Sequence, residues 1–268
     1  MLLAENWITE LKMKRMKAFE LVRPFEEMAP LSLQEKWDNC GFSVGDPQKE
    51  ISRVLVALDC TEEVMDEAVS CGADMIITHH PLIFSGIKKI SPQNWLGRVI
   101  YKAINHGIVI YSAHTNMDKA AGGVSSLMAQ KLGMEECIPL TPDNFGIVGN
   151  LPQECFVEEL AAKVKEVFGI DTIRCSEPLQ GKVSRIAVCG GSGKQFIADA
   201  MQQGAQVYIT GDITYHDFYT EKGFMVMDIG HYFSEYGIVG LFANIVSENF
   251  PNFAVSISKK SNNPIYYY

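Results

Sequence analysis

The sequence contains no Cys-x-x-Cys pair, no excess of positive charge and no apolar run long enough to cross a bilayer. Each absence removes a class of protein. The seven cysteines, at positions 40, 60, 71, 137, 155, 175 and 189, are odd in number, and several fall within apolar stretches. A disulfide framework or a thiolate zinc site is therefore not expected, and the thiols read as small, reduced core residues. Lys and Arg number 23 against 32 Asp and Glu, a formal net charge of −9. A general nucleic-acid binder carries a basic footprint, so nucleic acid is not an expected partner. Apolar runs such as residues 238–242 fall far short of a membrane span. Glu5 and Glu10 interrupt the opening segment where a signal peptide needs an unbroken apolar stretch. The expected setting is the cytoplasm, with no membrane partner.

What is present is ordinary globular material: 268 residues, 47% hydrophobic and 21% charged. That length forms one large α/β domain or two of middling size, either with a proper core. Short β-branched runs alternate with amphipathic stretches. Strands are expected at 53–59, 74–78, 108–112, 185–189, 207–210, 224–228 and 253–258. Helices are expected at 61–71, opened by Thr61, and at 94–105, 122–132, 156–168, 193–203, 215–221 and 232–248. Residues 139–152, rich in Pro, Asp and Gly, read as a loop. Such alternation implies α/β architecture with largely parallel strands.

The alternation also repeats. A shift of 132 residues lays 51–78 over 183–210 without a gap. Ser52-Arg53 then matches Ser184-Arg185, Gly72-Ala73 matches Gly204-Ala205, and Ile77-Thr78 matches Ile209-Thr210. Any two strand–helix–strand units share apolar spacing, but identities at these polar and glycine positions go beyond pattern. A shift of 117 residues carries the match onward, setting His114 against His231 and Asp118 against Glu235. The chain therefore reads as two related α/β halves facing each other.

Five of the six histidines follow expected strand ends, where parallel sheets bind ligands. His79-His80 are adjacent, so their imidazoles point in different directions and suit two ions or a bridge. His231 and Glu235, one helical turn apart, can reach one ion or two neighbouring ions, and His114 and Asp118 share that spacing. Each pair alone is as readily a hydrogen-bonded loop or a surface pair. Together they suggest a metal site of His and carboxylate ligands without thiolate, a set that suits Zn, Mn or Fe. Residues 189–194, Cys-Gly-Gly-Ser-Gly-Lys, join a strand to a helix, where free N–H groups can hold an anion; Gly190, Gly191, Ser192 and Gly193 are the candidates. The loop is not a Walker A motif, because Val188 stands at its first glycine and Gln195 at its Ser/Thr. A tight turn at a helix start accounts for it equally well. Asp212 and His216 follow the strand that matches 74–78, as acid–base, supporting or purely structural groups.

The motifs WDNCGFSVGDP (37–47), THHPLIF (78–84), AHTNMD with GGV (113–124), CGGSGK (189–194), TGDITYHD (210–217) and GHYFSE (230–235) resemble the NIF-three-like family, whose members are often labelled GTP cyclohydrolase 1 type 2 homologues. The resemblance runs from Met16 to the end, in the family's order and spacing, and implies the family's short form: an extension at 1–15, a first α/β half at 16–135 and a second at 136–268, with no inserted domain. It implies two α/β halves around a dinuclear metal cleft, with two divalent ions per chain. The ligands implied are His79, His80, Asp118, His231 and Glu235, with His114 nearby. It also implies a ring-shaped homohexamer. Two adjacent metals suit hydrolysis, and a nucleotide or phosphorylated small molecule is the expected substrate class. His114, His216 and Asp212 are the candidate catalytic residues. The alternative is a metal-dependent regulatory or protein-interaction module without turnover.

Overall fold

The computed structural model describes residues 15–266, so all of the expected extension but Arg15 lies outside the described residues. Two sheets organise the chain. The first has five strands in the order Ala254–Ile257, Arg53–Ala57, Met75–Thr78, Val109–Ser112 and Gly41–Val44, with only the last antiparallel to its neighbour. The second has six, in the order Glu135–Pro139, Ile147–Phe156, Lys182–Ser192, Val207–Gly211, Met225–Asp228 and Arg174–Cys175. Its Lys182–Ser192, Val207–Gly211 and Met225–Asp228 strands are parallel, and the others attach antiparallel.

The duplication is visible in register. Val54 pairs with Met75 and Val56 with Ile77 in the first sheet; Ile186 pairs with Val207 and Val188 with Ile209 in the second. Both sets are related by the shift of 132 residues. The polar identities have a purpose as well. Asp74 Oδ2 accepts from the Ser52 N–H at 2.7 Å and the Arg53 N–H at 3.2 Å; Gln206 Oε1 accepts from those of Ser184 and Arg185 at 2.8 and 3.2 Å. The arginines reach the carboxyl ends of the helices that follow their strands, Arg53 to the Cys71 carbonyl and Arg185 to that of Gln203. Each Ser-Arg pair thus clips the start of one strand to the start of the next.

Both faces of each sheet are covered, as near-continuous apolar strands require. On the first, Val54, Val56, Ile77 and Tyr111 pack with Leu21 and Phe25 of the helix Ala18–Met28 and with Phe242 of Gly237–Asn249. Leu55, Ile76 and Ile110 face the helices Glu62–Cys71 and Trp95–His106. On the second, Ile186, Val188 and Ile209 meet the helices Val124–Leu132 and Val157–Phe168, while Ala187, Tyr208 and Val226 meet Ile197–Gln202. Thr61 caps its helix by accepting from the Val64 N–H at 3.3 Å, and Gly72 ends it in the left-handed region at φ 68°. The helix Gly237–Asn249 and the strand Ala254–Ile257 return to the first sheet, so the tail of the chain completes the half where it began.

Several expected elements differ. Residues 139–152 are half strand, because the turn formers at 140–146 connect the two arms of a hairpin; Pro152 sits in the bulge that separates the Asn150 and Cys155 pairings. The expected helix 215–221 is a single 3-10 turn, Tyr215–Phe218, with Tyr215 and Tyr219 facing solvent and no apolar stripe to bury. The expected helix 193–203 starts late, as a 3-10 turn Lys194–Phe196 and then Ile197–Gln202, because the preceding strand runs through Ser192. The expected helix 232–248 divides into His231–Glu235 and Gly237–Asn249. Residues 115–119, where no helix is expected, form the short helix Thr115–Lys119 directly after His114. Ser112 pairs with Thr78 and Asp228 with Thr210, so the third strands correspond at a shift of 116, with one extra residue before His231. Among the described residues, no helix is long and apolar enough to cross a membrane.

Candidate metal centre

The chemistry collects at the carboxyl ends of the parallel strands of both sheets. His79 and His80 leave Met75–Thr78, and His114 and Asp118 follow Val109–Ser112. Asp212 follows Val207–Gly211, and His231 and Glu235 follow Met225–Asp228. The two sheets bring these ends together around Glu235, which is 3% exposed.

The carboxylate of Glu235 divides the site. Its Oε2 lies 2.9 Å from Nε2 of His80 and 2.9 Å from Nε2 of His231. Its Oε1 faces the other way, 3.7 Å from Nε2 of His79, which is itself 3.5 Å from Oδ1 of Asp118. Two groups of donor atoms result, His80–His231–Glu235 and His79–Asp118–Glu235, each compact enough to hold one ion. His114 is close to both His79 and His80. The five residues implied as ligands therefore converge.

Each imidazole is fixed through its other nitrogen. His79 Nδ1 donates to the Ala113 carbonyl at 2.8 Å, and His80 Nδ1 to Asp59 at 2.7 Å. His231 Nδ1 donates to Asp212 at 2.8 Å and His114 Nδ1 to Asp38 at 2.9 Å. A carbonyl and an ionised carboxylate only accept, so the proton sits on Nδ1 and Nε2 is turned toward the site. Asp212 is thereby an orienting group for His231, and it holds left-handed backbone at φ 55° to do so. Asp38 is in turn held by the Thr115 N–H at 3.1 Å, the Thr115 hydroxyl and the Cys40 thiol. His216 is not brought to the cleft; it stacks on Tyr219 at the surface.

The electrostatics are those of close, buried opposite charges. Burial alone opposes the charged form of Glu235, yet the nearby charge of His79 and hydrogen bonds from His231 and His80 hold its carboxyl well below the usual range. Burial likewise opposes protonation of His231, but hydrogen bonds to Asp212 and Glu235 raise its pKa to about 10. His79 and His80 are also raised against burial, His79 chiefly by Asp118 and Glu235 and His80 by Asp59 and Glu235. Cys189 lines the same cleft, and burial pushes its thiol up to about 12, which makes it a poor nucleophile.

Two atoms show that the site is built for more than this internal network. His79 Nε2 and Asp118 Oδ1 are buried without a hydrogen-bond partner. Buried polar atoms in native proteins are almost always satisfied, and an ion at this position would satisfy both. The donor set, imidazole nitrogen and carboxylate oxygen only, fits a divalent transition metal. All seven cysteines are free and none belongs to a candidate ligand group.

The glycine-rich segment lies against this centre. The N–H of Gly191 donates to Ser234 Oγ at 2.9 Å and that of Gly190 to Ser125 Oγ at 3.4 Å, so these two donors are engaged within the protein. A Cβ on Gly191 would stand 2.2 Å from Glu235 Oε1, and one on Gly193 2.2 Å from the Thr210 hydroxyl. The glycines allow the strand to pass beside Glu235 and Thr210. Asp59 and Asp38 escape the sequence reading. Their one signal is position, Asp59 at a strand end and Asp38 in a turn-rich segment beside Trp37.

A two-sheet α/β chain with paired His/carboxylate groups at facing strand ends has the donors that could hold metal ions. The Duf34/NIF3 (NGG1p interacting factor 3) family model matches residues 16–264. A protein of Clostridium perfringens named GTP cyclohydrolase 1 type 2 homolog is 39% identical over 232 residues, 84% of this chain and 88% of that one. A Streptococcus pneumoniae protein of the same name is 39% identical over 228 residues, 81% and 85% of the two chains. Among solved structures, a Bacillus cereus protein related to NIF3 superposes with a TM-score of 0.87 at 25% identity, covering 96% of this chain and all of that one. A Staphylococcus aureus hypothetical protein reaches 0.86 at 30% identity over 94% and 99%. The chain belongs to the Duf34/NIF3 family.

Proposed function

We propose that the protein is a dinuclear-metal-dependent hydrolase acting on a nucleotide or another phosphorylated small molecule, of the kind its relatives' name, GTP cyclohydrolase 1 type 2 homolog, suggests. The observation that carries this reading is the placement of the two oxygens of Glu235 against separate ligand sets, His80–His231 and His79–Asp118. The ions held there are two per chain and are Zn, Fe or Mn. Bound divalent cations supply Lewis acidity and offset the negative charge that develops during hydrolysis. The residues of the chain do the rest. Asp59 and Asp212 lock the rings of His80 and His231, and the Ala113 carbonyl locks that of His79, so no reorganisation is needed on binding. His114, held by Asp38, lines the 580 Å³ cleft over the ligands, where it can hold or pass a proton to a bound molecule. The working form is a cytoplasmic homo-oligomer, a ring-shaped hexamer in this proposal.

The test is to load purified protein with each metal and count ions per chain. GTP and a panel of phosphoesters are then incubated with wild type and with a His79→Ala, Glu235→Ala double variant. Metal-dependent product from wild type alone supports the proposal. Equal product from both overturns it in favour of a non-catalytic, metal-dependent interaction module. Size-exclusion chromatography with light scattering tests the hexamer.

A further inference from the structure

The cleft above the ligands carries more aromatic surface than its chemistry as a metal site requires. Trp37 and Phe84, with ring centroids 5.5 Å apart, both border it while being 57% and 52% exposed. They belong to the first half. From the second half come Phe145 and Phe196, stacked at 5.2 Å with an interplanar angle of 26°. Trp37, Phe84 and Phe145 belong to none of the buried core clusters and Phe196 only packs against the edge of one, so core packing does not account for the first three at this opening. Among the described residues, no Lys or Arg lines the cleft. Lys119 lies over the Phe145 ring and is paired with Glu35.

We infer that these rings form a stacking site for a planar nitrogen heterocycle, and that the heterocycle rather than a phosphate carries substrate recognition. This deepens the hydrolase reading and rests on it for the claim that the stacked molecule is a substrate. An aromatic wall binds any base through its π-face, and its removal is felt strongly because the face has no alternative partner in water. A phosphate chain finds no guanidinium or ammonium in the lining to fork onto, in contrast to sites built for phosphate. Asp143, Ser192 and Gln195 border the same opening and offer hydrogen bonds to the edge of a ring.

The experiment is calorimetric titration of the full chain, with and without bound metal, by guanosine, GTP and glycerol 3-phosphate. Guanosine and GTP are expected to bind the metal-free chain within a few-fold of each other, and glycerol 3-phosphate far more weakly. Trp37→Ala and Phe145→Ala should each weaken guanosine binding roughly 5- to 100-fold. Trp37→Phe should retain binding while removing the ligand-induced change in tryptophan emission, and circular dichroism confirms that each variant is folded. Equal guanosine affinity in wild type and both alanine variants overturns the stacking site, as does glycerol 3-phosphate binding as tightly as guanosine. The two readings fail separately. Nucleosides that bind through these rings without turnover of any panel compound leave the stacking site standing and remove the hydrolase. Hydrolysis of a phosphoester with no ring-dependent binding does the reverse.

Discussion

His80 and Glu235, one from each half of the chain, meet with Nε2 and Oε2 2.9 Å apart although 155 residues separate them. Both donor groups that include Glu235 draw residues from the two halves, His80 on one side and His79 with Asp118 on the other. Glu235 is the pivot of the site, because its other oxygen is turned to His79.

That division predicts unequal losses of metal. Glu235→Gln removes a ligand from both sets and should leave well under one tightly held ion per chain. Asp118→Asn touches only the His79 set and should leave about one ion, bound by His80, His231 and Glu235. Elemental analysis after loading and desalting distinguishes the two. Equal metal content in both variants would count against the bridging role of Glu235.

The raised histidines predict opposite pH responses for metal-free and metal-loaded protein. His79, His80 and His231 all hold their protons more tightly in the folded chain than the ordinary value of 6.5, His231 up to about 10. Their charged pairing with Glu235 and the aspartates therefore stabilises the metal-free fold fully below about pH 6.5 and is lost as pH rises toward about 10. Metal must displace those protons, so loading near pH 7 releases them and binding tightens as pH increases. The melting temperature in EDTA should fall from pH 6.5 to 9.5 while the gain on adding metal grows. A gain that shrinks with pH would contradict this account.

Much of this arrangement was legible in the sequence, for reasons the structure makes plain. The strand–helix alternation was readable because both sheets are covered on both faces, so their strands are continuous apolar runs. The repeat was readable because Ser52-Arg53 and Ser184-Arg185 perform one task, clipped by Asp74 and Gln206 at equivalent positions. The candidate ligands stood out because histidine is scarce and clustered after strand ends. The hairpin through Ile147–Phe156 was hidden by two prolines, which sit at a strand end and a bulge rather than interrupting a regular ladder. The return of Ala254–Ile257 to the first sheet was hidden because partner choice among strands is a tertiary property. Asp59 and Asp38 were hidden because a carboxylate that orients a histidine looks, in sequence, like any other near a turn.

Those orienting carboxylates make a prediction of their own. Asp59→Asn keeps the shape but replaces an ionised acceptor of the His80 Nδ1 proton with a neutral one. Metal affinity should drop by about 10- to 100-fold, while the ion count at saturating metal stays the same. A competition titration against a chromophoric chelator measures it. A reduced ion count at saturation would instead make Asp59 a direct ligand.

The last prediction concerns the glycine that makes room for Glu235. Gly191 lies at φ 63°, and a Cβ there would be 2.2 Å from Oε1 of Glu235 and 3.4 Å from Cε1 of His231. Gly191→Ala must therefore push the carboxylate away from its ligand partners as well as bear left-handed backbone. Gly181 provides the comparison, since its φ is 96° with nothing within 4 Å of the added methyl. Gly181→Ala should cost only the backbone strain, about 1 kcal/mol, and leave metal affinity untouched. Gly191→Ala should cost more in thermal stability and also lose most of its metal. If the two variants melt alike and bind metal alike, the glycine-rich segment is a tolerant turn rather than a fitted wall of the metal centre.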